Sequence, residues 1–174
     1  MTTRSEVLFL GGRSGVGKSS VGNEIHAQLS AAGVRHCLIE GDNLDLAFPP
    51  PWEHNLAERN LAAMWTNYRA LGYHRLIYTN TVSVRTVENL TAAMGDEPSV
   101  AAVLLTADDA TARARLARRE IGTTLDLHIE RSDRMARELE QTVASWVHRV
   151  PTDARPVAGI AQEIITLTGW CASA

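Results

Sequence analysis

A glycine-rich stretch near the start of the chain contains the residues best suited to chemistry. It reads Gly-Arg-Ser-Gly-Val-Gly-Lys-Ser over residues 12–19 and matches the pattern G-x-x-x-x-G-K-[ST]. Glycines allow backbone conformations in which successive N–H groups point into one concave space that binds an anion. Lys18 is the only lysine among seventeen Lys and Arg residues, and its compact ammonium can fold over a tight loop where a broad guanidinium cannot. The stretch therefore predicts a site for nucleotide phosphates.

Each residue type in this stretch has a separate expected role. Lys18 would reach the β- and γ-phosphates of a nucleoside triphosphate as a catalytic residue, and the Ser19 hydroxyl would bind Mg²⁺. The N-terminus of the following helix would add unpaired N–H groups and a dipole that favours anions. The residues predicted to bind the nucleotide here are Gly12, Arg13, Ser14, Gly15, Val16, Gly17, Lys18, Ser19 and Ser20.

The rest of the chain alternates short apolar runs with longer amphipathic stretches, which is typical of an α/β domain with a mainly parallel sheet. The 174 residues are expected to form a single domain. Thr106 and Asp109 are expected to cap the fourth helix. Strands are predicted at 6–10, 36–40, 74–79, 99–106 and 146–150, and helices at 17–32, 54–71, 84–94, 107–121, 126–145 and 156–167.

An acidic residue follows the second predicted strand. Asp42 lies in Leu-Ile-Glu-Gly-Asp-Asn-Leu-Asp, residues 38–45, whereas the third strand ends in Thr79-Asn80 without an acid. With the glycine-rich stretch, this arrangement resembles the P-loop small-molecule kinases: adenylylsulfate kinase, shikimate kinase, gluconate kinase and chloramphenicol phosphotransferase. The resemblance implies a three-layer P-loop NTPase fold with a five-stranded parallel sheet and a short helical lid. It also places Asp42 near the γ-phosphate as a catalytic residue, where it would orient or deprotonate an acceptor hydroxyl. The alternative for Asp42 is a turn or cap residue.

Arginines on the later helices resemble the lid of nucleoside-monophosphate and related kinases. Arg115 and Arg119 are four residues apart and share a helical face, and the resemblance implies that they close over the phosphates as catalytic residues. The lid would extend over about 115–134, with Arg131 and Arg134 at its far side. A solvated charged face explains the same residues. His128 on this segment is expected to be structural.

Two further segments complete the predicted site. The resemblance places Thr152, Asp153, Arg155 and Pro156 against the adenine base, although an ordinary turn into the last helix explains them equally well. Because a doubly wound sheet binds ligands beyond the carboxyl ends of its strands, residues 42–60 are expected to wall the acceptor pocket. Aromatic residues there could stack on a planar acceptor, Arg59 could pair with an anionic one, and packing in the core or on the surface is the alternative for each. The predicted substrate-binding residues are Asp45, Trp52, Asn55, Arg59 and Asn80.

Composition restricts the possible partners. A net charge of −3 gives no general attraction to nucleic acid or membrane surfaces, and the start of the chain does not read as a signal peptide. A cytoplasmic protein, monomeric or homodimeric, is expected. The absence of a second lysine excludes the Asn-Lys-x-Asp element with which GTPases read guanine. The sequence thus predicts a kinase that uses ATP and Mg²⁺ to phosphorylate a small molecule. A nucleotide-binding regulatory or partner-binding protein with weak or no hydrolysis is the alternative, and the acceptor stays open.

Overall fold

The computed structural model describes residues 4–119 and 124–171, which form a parallel sheet with helices on both faces. All four strand pairings are parallel, and the strands lie in the order β2-β3-β1-β4-β5. The predicted α/β fold with five parallel strands is therefore confirmed. The strands are β1 (Glu6–Gly11), β2 (Cys37–Glu40), β3 (Arg75–Thr79), β4 (Ser99–Thr106) and β5 (His148–Pro151).

Six α-helices connect or follow these strands within the described residues. They are α1 (Lys18–Ala31), α2 (Leu56–Ala70), α3 (Val87–Met94), α4 (Asp109–Arg119), α5 (Leu125–Thr142) and α6 (Val157–Thr168). Short 3₁₀ turns occur at Gly41–Asn43 and Trp52–His54. No helix in this part of the chain combines the length and the apolar character needed to cross a membrane.

Alternation along the strands divides the core into two layers. Val7 and Phe9 on β1 pack with the apolar faces of α2, α3 and α5, whereas Leu8 and Leu10 pack with α1 and α6. Successive side chains of a strand point to opposite faces, so a continuously apolar strand such as β1 must be covered on both sides. The two layers hold the sheet between the helices and leave its carboxyl edge open to the loops.

The largest differences from the predicted elements lie at helix and strand ends. Asp108 caps α4, since its carboxylate accepts a hydrogen bond of 2.7 Å from the Thr111 N–H, and the predicted role of Thr106 as the cap is wrong. Thr106 ends β4, where its carbonyl accepts from the Thr152 N–H. Strand β5 begins at His148, two residues later than predicted, because its start is set by pairing with β4. Residues 120–123 of the predicted lid lie outside the described residues.

The end of β2 depends on a close approach between a glycine and an aromatic ring. A Cβ atom at Gly41 would lie 2.3 Å from Cζ and 2.4 Å from the hydroxyl oxygen of Tyr78. The Tyr78 ring is itself 1% exposed and packs edge-on to Phe9 at 5.7 Å between centroids. Glycine at position 41 therefore makes room for the tyrosine at the edge of the sheet.

We expect Gly41→Ala to lower the free energy of unfolding by about 1–3 kcal/mol, because the added methyl group forces the Tyr78 ring to move. Gly159→Ala is the matched control: a Cβ there meets only Pro156 Cγ at 3.6 Å, inside α6. The control should gain up to about 1 kcal/mol from helix propensity. Urea unfolding of both variants tests the pair, and equal stabilities would contradict the packing argument.

Candidate functional site

The loop between β1 and α1 presents a series of unused backbone donors. Among the described residues, no backbone or side-chain acceptor takes a hydrogen bond from the N–H groups of Ser14, Gly15, Gly17, Lys18 or Ser19. Gly15 has a φ of +83°, and a Cβ there would lie 2.6 Å from the Ala112 carbonyl, so only glycine fits. A loop with several free donors at a helix N-terminus is suited to binding an anion.

Lys18 lies over this loop and is almost fully buried, with 8% of the residue exposed. Its Nζ donates to the Gly12 carbonyl at 2.9 Å and lies 3.9 Å from Asp42 Oδ2. Burial lowers the pKa of Lys18 below its ordinary value, and the negative charges of Asp42 and Glu40 partly oppose that shift. The ammonium is therefore held at the loop with a carboxylate facing it.

Asp42 is held in place by the residues that follow β3. Its Oδ1 accepts hydrogen bonds from Asn80 Nδ2 at 2.8 Å and from the Thr81 N–H at 3.0 Å. The carbonyl of Thr81 in turn accepts from the Gly12 N–H at 3.1 Å. The Gly12 N–H is thus used inside the loop and does not join the free donors. Sequence reasoning missed Thr81, whose backbone connects Asp42 to the loop, because no side-chain motif indicates such a bridge.

Glu40 is a second acidic residue near the loop, and unlike Asp42 it was missed by sequence reasoning. It ends β2, and its carboxylate accepts a hydrogen bond of 3.3 Å from the Ser19 hydroxyl. Its position at the end of a strand beside the glycine loop was the available signal. Carboxylate and hydroxyl oxygens are the ligands that Mg²⁺ prefers, so Ser19 and Glu40 together fit the predicted metal role better than Ser19 alone.

Three cavities lie around the glycine loop and Asp42. The first, which we call the Lys18 cavity, has a volume of about 490 Å³. Helices α4 and α5 form the side opposite the loop. Arg119 and Arg131 both line it, whereas Arg134 is 69% exposed beside Glu138. The lining residues are Ser14, Gly15, Lys18, Ser19, Asp42, Leu116, Arg119, His128 and Arg131.

The second cavity, the Thr152 cavity, of about 300 Å³, lies on the other side of the loop. Of the four residues predicted to contact adenine, Thr152 and Arg155 line it, and Asp153 and Pro156 do not. The Asp153 carboxylate instead accepts from the Asp108 N–H. The cavity is lined by Gly15, Val16, Gly17, Ser20, Val21, Arg115, Arg118, Arg119, Thr152, Arg155, Val157 and Ile160.

Arg115 lines the Thr152 cavity and does not line the Lys18 cavity. Its Nη1 donates to the Val16 carbonyl at 3.1 Å and to Thr152 Oγ1 at 2.9 Å, and its Nη2 donates to the Thr152 carbonyl. These contacts tie the glycine loop to the residues after β5. The prediction that Arg115 closes over the phosphates together with Arg119 therefore does not match this arrangement, although four-residue spacing does place both on one side of α4.

The third cavity, the Trp52 cavity, has a volume of about 210 Å³ and lies between the residues after β2 and the start of α2. Four of the five residues predicted to bind the acceptor line it: Asp45, Trp52, Asn55 and Asn80. The fifth, Arg59, is exposed and does not line it. Phe48 and Trp52 are 96% and 74% exposed, so neither belongs to the core. Leu56, Ala57, Glu58, Tyr78, Val82, Thr86 and Leu90 complete the lining.

The Arg13 side chain is 3% exposed and does not line the three cavities around the glycine loop; it lines a separate cavity with Thr106 and Arg149. It forms ion pairs with Asp109 at the start of α4 and with Asp133 on α5. Its Nε donates to Ser132 Oγ at 2.9 Å, and that hydroxyl donates to the Ser14 carbonyl at 2.8 Å. Hydrogen bonds from Arg113 and Arg13 lower the pKa of Asp133. At the glycine loop, only the backbone of Arg13 is therefore available to a ligand.

Comparisons with known proteins show what this chain resembles. The family model of adenylylsulphate kinase matches residues 4–64, which include the glycine loop and Asp42. A tunicamycin resistance protein of Deinococcus radiodurans superimposes with a TM-score of 0.66 at 19% identity, over 95% of this chain and 96% of that one. The APS kinase of Mycobacterium tuberculosis in complex with AMPPNP and APS gives 0.58 at 22% identity, over 94% and 97%.

A gluconokinase of Sinorhizobium meliloti gives a TM-score of 0.58 at 21% identity, over 94% of this chain and 92% of that one. The chain has the fold of the P-loop kinases. The resemblance stated from the sequence is thus confirmed at the level of fold. Residues 12–19, which match the P-loop pattern and are called the P-loop from here on, run from the end of β1 into the start of α1. No curated protein sequence matches the chain at a significant level.

We expect Arg13→Ala to destabilise the protein by about 3 kcal/mol, because it leaves the buried Asp133 with one cation fewer and Ser132 without its donor. The value lies at the low end for a broken buried pair since Arg113 still contacts Asp133 and Asp109 is half exposed. Arg134 lies on the exposed face of α5, the helix that carries Asp133. Arg134→Ala should change the free energy of unfolding by less than about 0.5 kcal/mol. Thermal and urea unfolding measure both, and similar losses would contradict the buried network.

Proposed function

We propose that this protein transfers the γ-phosphoryl group of ATP to a hydroxyl or phosphate of a small molecule. The single observation that carries the proposal is the position of Asp42. It lines the Lys18 cavity, faces the Lys18 ammonium, and is hydrogen-bonded to Asn80, which lines the Trp52 cavity. A carboxylate between a phosphate-binding loop and a second cavity is suited to take the proton of a phosphoryl acceptor bound in that second cavity.

The three cavities suggest how the substrates would be arranged. The Thr152 and Lys18 cavities share Gly15 and Arg119. A nucleotide with its base in the Thr152 cavity can therefore extend its phosphates into the Lys18 cavity. The free N–H groups of the P-loop and the α1 N-terminus would then bind the phosphates. The acceptor would occupy the Trp52 cavity, with its reacting oxygen directed toward Asp42.

In the proposed reaction the acceptor oxygen forms a bond to the γ-phosphorus, the bond from that phosphorus to the ADP oxygen breaks, and the acceptor proton passes to Asp42. Lys18, Arg119 and Arg131 would stabilise the charge that spreads over the transferred group. Ser19 and Glu40 would hold Mg²⁺, which neutralises phosphate charge when bound. The family match and the kinase structures support this class of reaction. They do not identify the acceptor of this protein.

We expect Lys18→Ala to weaken binding of MgATP at least tenfold in isothermal titration calorimetry, because the phosphates lose their buried cation. Lys18→Arg should weaken it as well, since the ammonium is buried and lies 2.9 Å from the Gly12 carbonyl, and a guanidinium does not fit there. Arg137→Ala, at an exposed position of α5, should bind MgATP like the parent. No uptake of ATP by the parent protein would overturn the proposal.

We expect Asp42→Asn to bind ATP normally while slowing phosphoryl transfer by about a hundredfold or more, because the base for the acceptor proton is removed. The assay incubates protein, ATP and Mg²⁺ with a panel of metabolites and antibiotics, and mass spectrometry detects a phosphate added to one compound. Transfer at the parent rate by the variant would exclude Asp42 from the reaction. ATP binding without transfer to any compound would favour the nucleotide-binding regulatory alternative.

A further inference from the structure

The Trp52 cavity has an acidic lining. Asp45 and Glu58 both line it, and no described lining residue is basic. Neither carboxylate has an ion pair or hydrogen bond within the described residues. Asp42 adds a third negative charge through its bond to Asn80. Arg59, predicted as a possible partner for an anionic acceptor, is exposed and does not line the cavity.

A nearly buried tyrosine in the same cavity has a hydroxyl without a partner. Tyr78 lines the cavity with 1% of the residue exposed, and its hydroxyl has no hydrogen-bond partner among the described residues. Burial raises the pKa of Tyr78 well above its usual range, with further contributions from Asp42, Glu58 and Asp45. The hydroxyl therefore stays protonated, surrounded by three carboxylates. The hydroxyl is not among the fully enclosed atoms that lack a partner, so it is open to the cavity and can donate a hydrogen bond to a ligand there.

We propose that the Trp52 cavity takes an acceptor that carries both a hydroxyl group and a protonated amine. This inference rests on the proposed function, because it concerns the acceptor of that reaction. The amine would pair with Asp45 and Glu58, and an oxygen of the acceptor would accept from Tyr78. An anionic acceptor would instead bring its charge against Asp45 and Glu58, because the cation that faces Asp42, Lys18, lines the Lys18 cavity and not this one.

The size and rim of the cavity agree with such a compound. Its volume of about 210 Å³ lies below the range of about 300–1,000 Å³ that is typical of drug-sized ligands, so the enclosed part of the acceptor is small. Trp52 at the rim is 74% exposed, and an indole face attracts cations. With the amine near Asp45 and Glu58, the hydroxyl of the acceptor can point toward Asn80 and Asp42, where transfer would occur.

The test compares three sets of size-matched compounds: hydroxy-amines, neutral polyols and hydroxy-acids, with glucosamine, glucose and gluconate as members that share one skeleton. Binding to protein saturated with MgAMPPNP is measured by ligand-observed NMR. We expect the binders to be mainly hydroxy-amines. The double variant Asp45→Asn/Glu58→Gln should weaken their binding at least tenfold, because a hydrogen-bonded charge pair is lost, and Tyr78→Phe should weaken it less.

Glu53→Gln is the matched control, because Glu53 is exposed in the turn beside Trp52 and does not line the cavity. It should bind the hydroxy-amines like the parent. The inference is overturned if no hydroxy-amine binds, if hydroxy-acids or polyols dominate the binders, or if the double variant keeps full affinity. Each variant is first checked for normal MgAMPPNP binding and unfolding.

A transfer assay on the same compounds separates this inference from the proposed function. If hydroxy-acids gain phosphate, the protein is a kinase and the acidic cavity does not select amines. If hydroxy-amines bind and depend on Asp45 and Glu58, yet no compound gains phosphate, the assignment of the cavity stands and the proposed transfer is contradicted.

Discussion

The backbone of Thr81 is the connection on which the candidate site depends. Its N–H donates to Asp42, and its carbonyl accepts from Gly12 at the start of the P-loop. The strand order explains why one residue can do both, because β3 lies between β1 and β2. The residues that leave β3 therefore lie between the ends of the other two strands. This bridge holds Asp42 beside the loop that precedes Lys18, and the Lys18 ammonium adds an ion pair to Asp42 at 3.9 Å.

A second set of contacts fixes the outer side of the P-loop. Arg13 links the loop to α4 and α5 through two carboxylates and Ser132. Buried arginines need such partners, because an unpaired charge away from water is costly. The helices that contribute Arg119 and Arg131 to the Lys18 cavity are thus attached to the loop that those arginines face. The same contacts help to orient the free N–H groups of the loop.

Much of the fold could be predicted from the sequence, because strong local patterns decide it. The apolar run of β4 and the periodic face of α1 are long, and the glycine pattern between β1 and α1 is specific. The less visible features depend on partners far along the chain. The motif says nothing about where Arg13 points, since Asp133 lies 120 residues away. Arg115 and Thr81 likewise act through backbone atoms of distant segments, and Tyr78 looked like an ordinary strand residue until Gly41 and the acidic residues were placed around it.

The placement of Asp42 between two cavities has a consequence for cooperativity. One carboxylate borders the space beside Lys18 and, through Asn80, the space beside Trp52. Filling either space with a charged molecule changes the electrostatic potential in the other. Thermodynamic linkage requires the resulting change in affinity to be equal in both directions. Two charged molecules bound on either side of Asp42 would therefore change each other's affinity through their own charges, without any need for a moving element.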